Sequence, residues 1–488
     1  MRRIVAAAVV VVLFLVPAGA ARAEPNLLVG VTEDGLKIEP DAALEDARDL
    51  GIGAFRITLR WRPGLSEPTA AQKAELSRAT EDASGVTIVL SVFGERAVHA
   101  PTTEALRDEY CGFLSEIVRA YDRIRYVTIW NEPNKTFFWS PQFSSDGSSA
   151  APAAYQALLA RCWDVLHDTR SGINVIAPST APRGNDNPEA VSNVSHSPTR
   201  FVRELGRAYR ESGRDAPMFD VVGHHVHGIH SAERPWRAHP GSGVTQGDLD
   251  KLEQAFSDAF AGTAQPVPGR CVEGRCVPVW WLEVGFQTEP DQNKASLYQG
   301  FEISPRPLPD SVGDVELDPL PDGGSLAPDQ ATQLVSALLL AYCQPHVEAF
   351  FNFLLWDEQR LEGWQSAPFW ADRTPKGSYD ALRDAIREVS DGEVECTEFR
   401  RTTVAERARA ERLEAPPPAS PVAPAPSSPS PVAPAPSSPA PVPTQEVDSE
   451  GFPSWLVPAG AVGAVLIGGG SLVYLLRRRR ASYPEHGR

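Results

Sequence analysis

The chain has 488 residues, 63 Asp and Glu against 46 Lys and Arg, and a formal net charge of −17. Such an acidic balance argues against a nucleic-acid partner and against broad attraction to anionic polymers. The first segment is not part of the fold: Arg2 and Arg3 precede an apolar run from Ile4 to Val16, and Ala21-Arg22-Ala23 offers an A-x-A cleavage site. Residues 1–23 therefore read as a secretory signal peptide.

From Glu24 onward, apolar runs rich in β-formers alternate with segments of helical spacing. In chain order the expected strands are Leu27–Thr32, Ala54–Leu59, Val86–Phe93, Tyr126–Trp130, Asn174–Pro178, Phe219–His225, Val279–Glu283 and Ala349–Trp356. The expected helices between and after them are Asp41–Leu50, Ala70–Ala83, Thr103–Tyr121, Ala153–Arg170, Pro198–Ser212, Gly247–Ala261, Pro328–Cys343 and Lys376–Glu388. The strands are continuous apolar runs, as befits a parallel sheet buried on both faces. Eight strands strictly alternating with eight helices predict an α/β chain folded as a (β/α)8 TIM barrel over residues 24–411. The connections after strands four to eight are long, and most returns from helix to strand are short. A barrel enzyme builds its site on the face where strands end, so long loops there point to chemistry.

Beyond the barrel the composition changes. Residues 412–453 form a linker whose Ala415–Gln445 tract is Pro, Ala and Ser, lacks apolar groups to bury and favours extended polyproline conformations. Residues 454–476 contain an uncharged run from Trp455 to Leu476, long enough to span a bilayer, and residues 477–488 begin with four arginines that mark the cytoplasmic side. The expected arrangement is an exported barrel on a Pro-rich stalk, held by a C-terminal transmembrane helix with its last residues in the cytoplasm. Six cysteines in an exported chain point to disulfides. Cys271 lies close to Cys276, and Cys111 with Cys162 and Cys343 with Cys396 are the remaining expected pairs.

Two glutamates end apolar runs and open long loops. Glu132 lies in Val127-Thr128-Ile129-Trp130-Asn131-Glu132-Pro133-Asn134, and Glu283 in Val279-Trp280-Trp281-Leu282-Glu283-Val284-Gly285-Phe286. They fall on strands four and seven, whose ends face each other across the mouth of a closed eight-stranded barrel. A carboxylate pair across a cleft suits glycoside hydrolysis, in which one acid protonates the leaving oxygen and an ionised partner attacks the anomeric carbon or activates water. Mutual repulsion and unequal solvation drive their pKa values apart.

The Trp130-Asn131-Glu132-Pro133 motif resembles that of clan A glycoside hydrolases, and Glu283-Val284-Gly285 resembles the clan's strand-seven site. The likeness spans nearly the whole barrel and is nearest to the family thirty-nine and family five groups. It implies a retaining mechanism with Glu132 as acid/base and Glu283 as nucleophile. It also implies that Arg56 supports the nucleophile, that Asn131 bonds the sugar 2-hydroxyl, that His225 is the strand-six histidine and that Trp356 is the indole beneath the sugar. Where the clan often has a tyrosine on the nucleophile, this chain has His227, which leaves the nucleophile's partner open.

Other readings stand beside this one. A lone glutamate at a strand end is usually a solvated loop carboxylate, and Glu289, Asp357 and Glu358 compete for either role. Trp139, Trp236, Trp364 and Trp370 occupy upper loops, where each either lines a sugar cleft or pins its own loop. Trp280 and Trp281 alternate, so one faces the helix layer. His224, His225, His227 and His230 invite a metal reading, but strand one lacks the His-x-His that a barrel metallohydrolase adds. No cofactor and no metal are therefore expected. The expected partners are a polysaccharide or glycoconjugate substrate and the membrane. Two alternatives remain: a non-catalytic carbohydrate-binding surface protein on the same barrel, and a metal-dependent barrel hydrolase.

Overall fold

The computed structural model describes residues 27–81, 83, 85–312 and 325–414. The leader, the stalk and the apolar segment at 454–476 lie outside the described residues. Among the described residues no helix is long and apolar enough to cross a membrane.

Eight parallel strands close into one barrel in sequence order: β1 (Leu28–Thr32), β2 (Ala54–Trp61), β3 (Thr87–Gly94), β4 (Ile124–Ile129), β5 (Asn174–Thr180), β6 (Val221–His225), β7 (Val279–Val284) and β8 (Val347–Phe353). Each pairs with its neighbours, and β1 closes the ring on β8 through Leu28–Ala349 to Thr32–Phe353. The expected (β/α)8 architecture is thus present. The helices are α1 (Gly35–Ile38), α2 (Pro40–Leu50), α3 (Ala70–Glu81), α4 (Glu104–Ala120), α5 (Ala151–Thr169), α6 (Pro198–Glu211), α7 (Leu249–Ala259), α8 (Gln330–Cys343), α9 (Tyr379–Asp391) and α10 (Thr397–Glu414).

Alternation along the strands divides the interior in two. Ala54, Val89, Ile176, Val221, Trp280, Leu282, Ala349 and Phe351 meet inside the barrel, with Leu28 and Tyr126 against them, so every strand contributes to a packed lumen. The residues between them point outward into a larger core shared with the helices. Trp280 and Trp281 split as expected: Trp280 packs on Tyr126 and Phe351 inside, and Trp281 donates through Nε1 to Gln344 in the helix layer at 2.9 Å. Two interior positions are glycine because large neighbours fill their space. A Cβ on Gly30 would stand 2.6 Å from the Phe351 ring, and one on Gly223 would stand 2.6 Å from Leu282. The filled lumen is the floor of the site.

All three expected disulfides are formed, joining α4 to α5 through Cys111–Cys162, closing the loop before β7 through Cys271–Cys276, and joining α8 to the segment before α10 through Cys343–Cys396.

Three local departures have physical causes. β8 stops at Phe353 and not at Trp356, because Leu354 adopts φ +81° and turns the chain. α9 begins at Tyr379 and not at Lys376, because Lys376 is a fully buried loop anchor, with Nζ 2.8 Å from Asp357. α10 was not expected at all. It has no apolar stripe, and Ala410 is its one buried residue. Polar contacts dock it: Arg407 reaches Asp248 at 3.0 Å and Arg409 donates to the Ala238 carbonyl at 3.0 Å.

Gly30→Val should destabilise the fold by about 1–3 kcal/mol, the usual cost of overpacking a filled interior. Denaturant unfolding measures this; an unchanged midpoint would mean the lumen is loosely filled.

Candidate active site

The site lies where the strands end, and the backbone there is shaped for it. At the end of β4, Trp130 takes φ +67° and Glu132 takes φ +39°. Left-handed backbone is costly for side chains of this size and persists only where the surroundings over-determine it. Here they do. The Trp130 ring is buried between Tyr110 and Trp139, its Nε1 donates to the Phe138 carbonyl at 2.9 Å, and its backbone N–H donates to the Val92 carbonyl at 3.0 Å. The Glu132 N–H donates to the Ser179 carbonyl of β5 at 3.0 Å. Those bonds fix where the Glu132 carboxyl stands.

At β7 a break in strand register does similar work. Strict alternation from Trp280 and Leu282 would send Glu283 outward. The pairing with β6 steps from His224–Trp281 to His225–Glu283, and the pairing with β8 also shifts between Trp281 and Val284. Such irregularities re-aim side chains beside functional sites. The result puts the Glu283 carboxyl at the barrel mouth.

Arg56, from β2, holds the centre. Its side chain is 1% exposed; Nη1 donates to Glu283 Oε1 at 2.8 Å, and Nη2 donates to Asn131 Oδ1 at 2.9 Å and Ser91 Oγ at 3.1 Å. With its oxygen taken, Asn131 turns Nδ2 outward as a donor without a partner among the described residues.

His225 sits between the two acids. Its Nδ1 is 2.9 Å from Glu132 Oε1 and 3.3 Å from Glu283 Oε2. The Glu283 carboxylate only accepts, so Nδ1 carries the hydrogen that lies between the two acids. His227 Nε2 stands 3.4 Å from Glu283 Oε2, a long contact. His224 points the other way. It bonds Thr180 and the Val244 carbonyl, and burial lowers its pKa to about 3, so it is a neutral core histidine.

The six polar candidates thus converge, whereas Trp356 does not. Because the chain turns at Leu354, the Trp356 ring packs on Gly35 near Ala43, its Nε1 donates to Asp46 of α2 at 2.8 Å, and Arg373 covers its face. Its contacts are thus with α2 and Arg373 and not with the polar cluster. The indole that meets the histidines of the site is Trp364, 4.6 Å ring to ring from His227 and 5.0 Å from Phe353. Nothing in its local sequence distinguishes it from Trp139 and Trp370, which are buried loop pins. The competing carboxylates are also accounted for. Asp357 is buried with Lys376 and Tyr298, Glu358 accepts from the Trp364 N–H, and Glu289 is exposed.

The pair is electrostatically unequal. Burial alone would raise the Glu283 pKa, but His225, the His227 hydrogen bond and the Arg56 guanidinium outweigh it and hold the carboxyl at about 2. Glu283 is therefore an anion at neutral pH. Glu132 has the His225 imidazole at 2.9 Å and no guanidinium hydrogen-bonded to its carboxyl among the described residues.

One atom each from Glu132, His225 and Glu283 lie within 4.8 Å of one another, a spacing that could also ligate a cation. The setting does not fit one well. Arg56 already places a buried positive charge 2.8 Å from Glu283, and a dication would be pressed against it. The Leu28–Thr32 strand adds no ligand.

No family model matches the sequence, and no curated protein matches it. Solved structures do resemble the fold. A monomeric β-xylosidase from Caulobacter crescentus is 16% identical, over 74% of this chain and 67% of its own, with TM-score 0.43. A glucosidase from Croceicoccus marinus is 10% identical, over 75% of this chain and 68% of its own, with TM-score 0.48. Xylanase 10B from Thermotoga maritima is 11% identical, over 75% of this chain and 97% of its own, with TM-score 0.43. At such identities the side chains of the site, and not the likeness, must carry the chemistry.

Arg56→Gln should let the Glu283 carboxyl rise from about 2 toward its ordinary 4.5. The acidic limb of the pH profile of kcat/KM should then move upward by about one unit or more; an unmoved limb would mean that Arg56 does not hold this charge. Linkage gives a second readout. A depressed folded-state pKa adds stability above about 4.5 that is lost as pH falls toward 2. Glu283→Gln should therefore lose less stability than the wild type over that window, as read from Tm against pH.

Proposed function

We propose that this chain is a retaining glycoside hydrolase that cleaves O-glycosidic bonds in an extracellular or cell-surface polysaccharide or glycoconjugate. The observation that carries the reading is the approach of the Glu132 and Glu283 carboxyl oxygens to within 4.8 Å, each held by its own backbone device. Retaining enzymes set their carboxyl groups about 5–5.5 Å apart, and inverting ones need about 6.5–9.5 Å to admit a water.

The chemistry follows from the inequality of the pair. Glu283, anionic, attacks the anomeric carbon, and the bond from that carbon to the leaving oxygen breaks. Glu132 gives its proton to that oxygen as it departs, leaving a glycosyl ester on Glu283. Glu132, now ionised, takes a proton from water, whose oxygen attacks the same carbon and frees Glu283. Two inversions restore the original configuration. Arg56 and His227 keep Glu283 ionised and aimed, Asn131 Nδ2 is placed to donate to a sugar hydroxyl, and Trp364 offers an aromatic face to the ring.

In this reading residues 1–23 direct export, the 412–453 tract spaces the barrel from the surface, and 454–476 anchor it with 477–488 in the cytoplasm. What supports this is the composition of those segments.

Glu283→Gln should abolish turnover of aryl glycosides, and Glu132→Gln should slow it by about 10²–10⁴-fold, least for good leaving groups. A panel of aryl glycosides scored by product anomer checks both, and inverted product would rule out the double displacement. For the location, activity should sediment with membranes and be released from intact cells by protease; activity confined to the soluble interior would overturn it.

A further inference from the structure

Two cations stand at the edge of the site, each bonded to a backbone carbonyl and neither in an ion pair among the described residues. Lys135 follows Glu132 by one turn, its N–H donating to the Glu132 carbonyl at 3.0 Å. Its ammonium reaches across to the Arg183 carbonyl at 3.3 Å. Arg183, on the loop after β5, donates through Nη1 to the His227 carbonyl at 2.7 Å. One cation is thus fastened to the acid/base's turn, and the other to the backbone of the histidine that touches the nucleophile. Neither is ion-paired with a carboxylate among the described residues.

Their setting is that of a cleft. Arg183 is solvent-exposed, yet desolvation by the surrounding protein lowers its pKa, with Glu233 and Glu132 pulling back. Lys135 is half-buried and lowered for the same reason, against the attraction of Glu132 and helped by repulsion from Arg183. The chain has 17 more acidic than basic groups, and many of its arginines find a carboxylate. Each of these two head groups gives one bond to a backbone carbonyl, which leaves further N–H donors on both for a ligand.

We infer that Lys135 and Arg183 form a recognition site for an anionic group on the glycan, so that the substrate is an acidic sugar, with a hexuronate carboxylate as the group suited to a planar guanidinium fork and an adjacent ammonium. Arg presents two parallel donors to a carboxylate, and such charge-assisted bonds are the strong ones. The inference rests on the hydrolase reading for its chemistry but not for its binding. The overall negative charge of the chain does not oppose it, because the two cations act at contact distance, where specific bonds decide.

The test is a matched pair of substrates that differ only at C6: 4-nitrophenyl glucuronide against glucoside, and galacturonide against galactoside, in both anomers. Wild type should favour the acid of a pair. The Lys135→Gln/Arg183→Gln double variant should lower the acid-to-neutral ratio of kcat/KM by about tenfold or more, chiefly through KM. A glucoside 6-sulfate separates carboxylate from ester sulfate as the group recognised. Equal or better cleavage of the neutral sugars by wild type overturns the inference, as does an unchanged ratio in the double variant. Should no glycoside be cleaved, titration calorimetry with oligogalacturonate and cello-oligosaccharide decides the matter. Binding of the acidic oligomer that the double variant loses upholds the anion site while the hydrolase reading fails. Absence of binding overturns the anion site too.

Discussion

Arg56 ties its own strand to three others at one point: from β2 it bonds Glu283 of β7, Ser91 of β3 and Asn131 just beyond β4. A guanidinium this deeply buried requires a fixed anion, and Glu283 is that anion. The dependence is mutual, since the carboxylate keeps its charge inside the barrel mouth because Arg56 and two histidines face it. The barrel's circular order makes the arrangement possible, because it brings residues 227 positions apart in sequence within a hydrogen bond.

The backbone around this centre carries strain in proportion to its importance. Trp130, Glu132 and Ser179 all hold positive φ on neighbouring strands, and a register break sits at Glu283. The packed aromatic cluster of Tyr110, Trp130, Trp139 and Tyr155 keeps the first of these in place. Rigid packing outside the site thus fixes distances within it, which matters for a reaction in which small misplacements are expensive.

Much of this was legible in the sequence because it follows from local pattern. The alternation of apolar runs and helical spacing gives the barrel, and the two glutamates were found because each ends a strand and opens a loop. The misses are equally local in cause. The apolar run extends the expected last strand to Trp356, but a left-handed Leu354 ends it earlier, and a leucine gives no warning of that conformation. Trp364 went undistinguished from other loop tryptophans because only the fold of its loop brings it to His227. α10 shows no apolar period because polar contacts from Arg407 and Arg409 carry much of its docking, with Phe399 its one large apolar side chain against the core. Nothing in the local sequence of Lys135 or Arg183 singles them out, because their meeting depends on two loops from different strands.

The fastening of α10 bears on how the molecule takes a load. A pull applied at Glu414 would meet the helix first, and its grip on the rest of the barrel includes the Arg407 ion pair and the Arg409 bond. These can peel away one after another and lengthen the chain. At Cys396 the peeling stops, because the covalent link to Cys343 passes the pull directly into α8. The terminal helix is in effect a shock absorber with a hard stop, and the strands that carry Glu132 and Glu283 lie behind that stop.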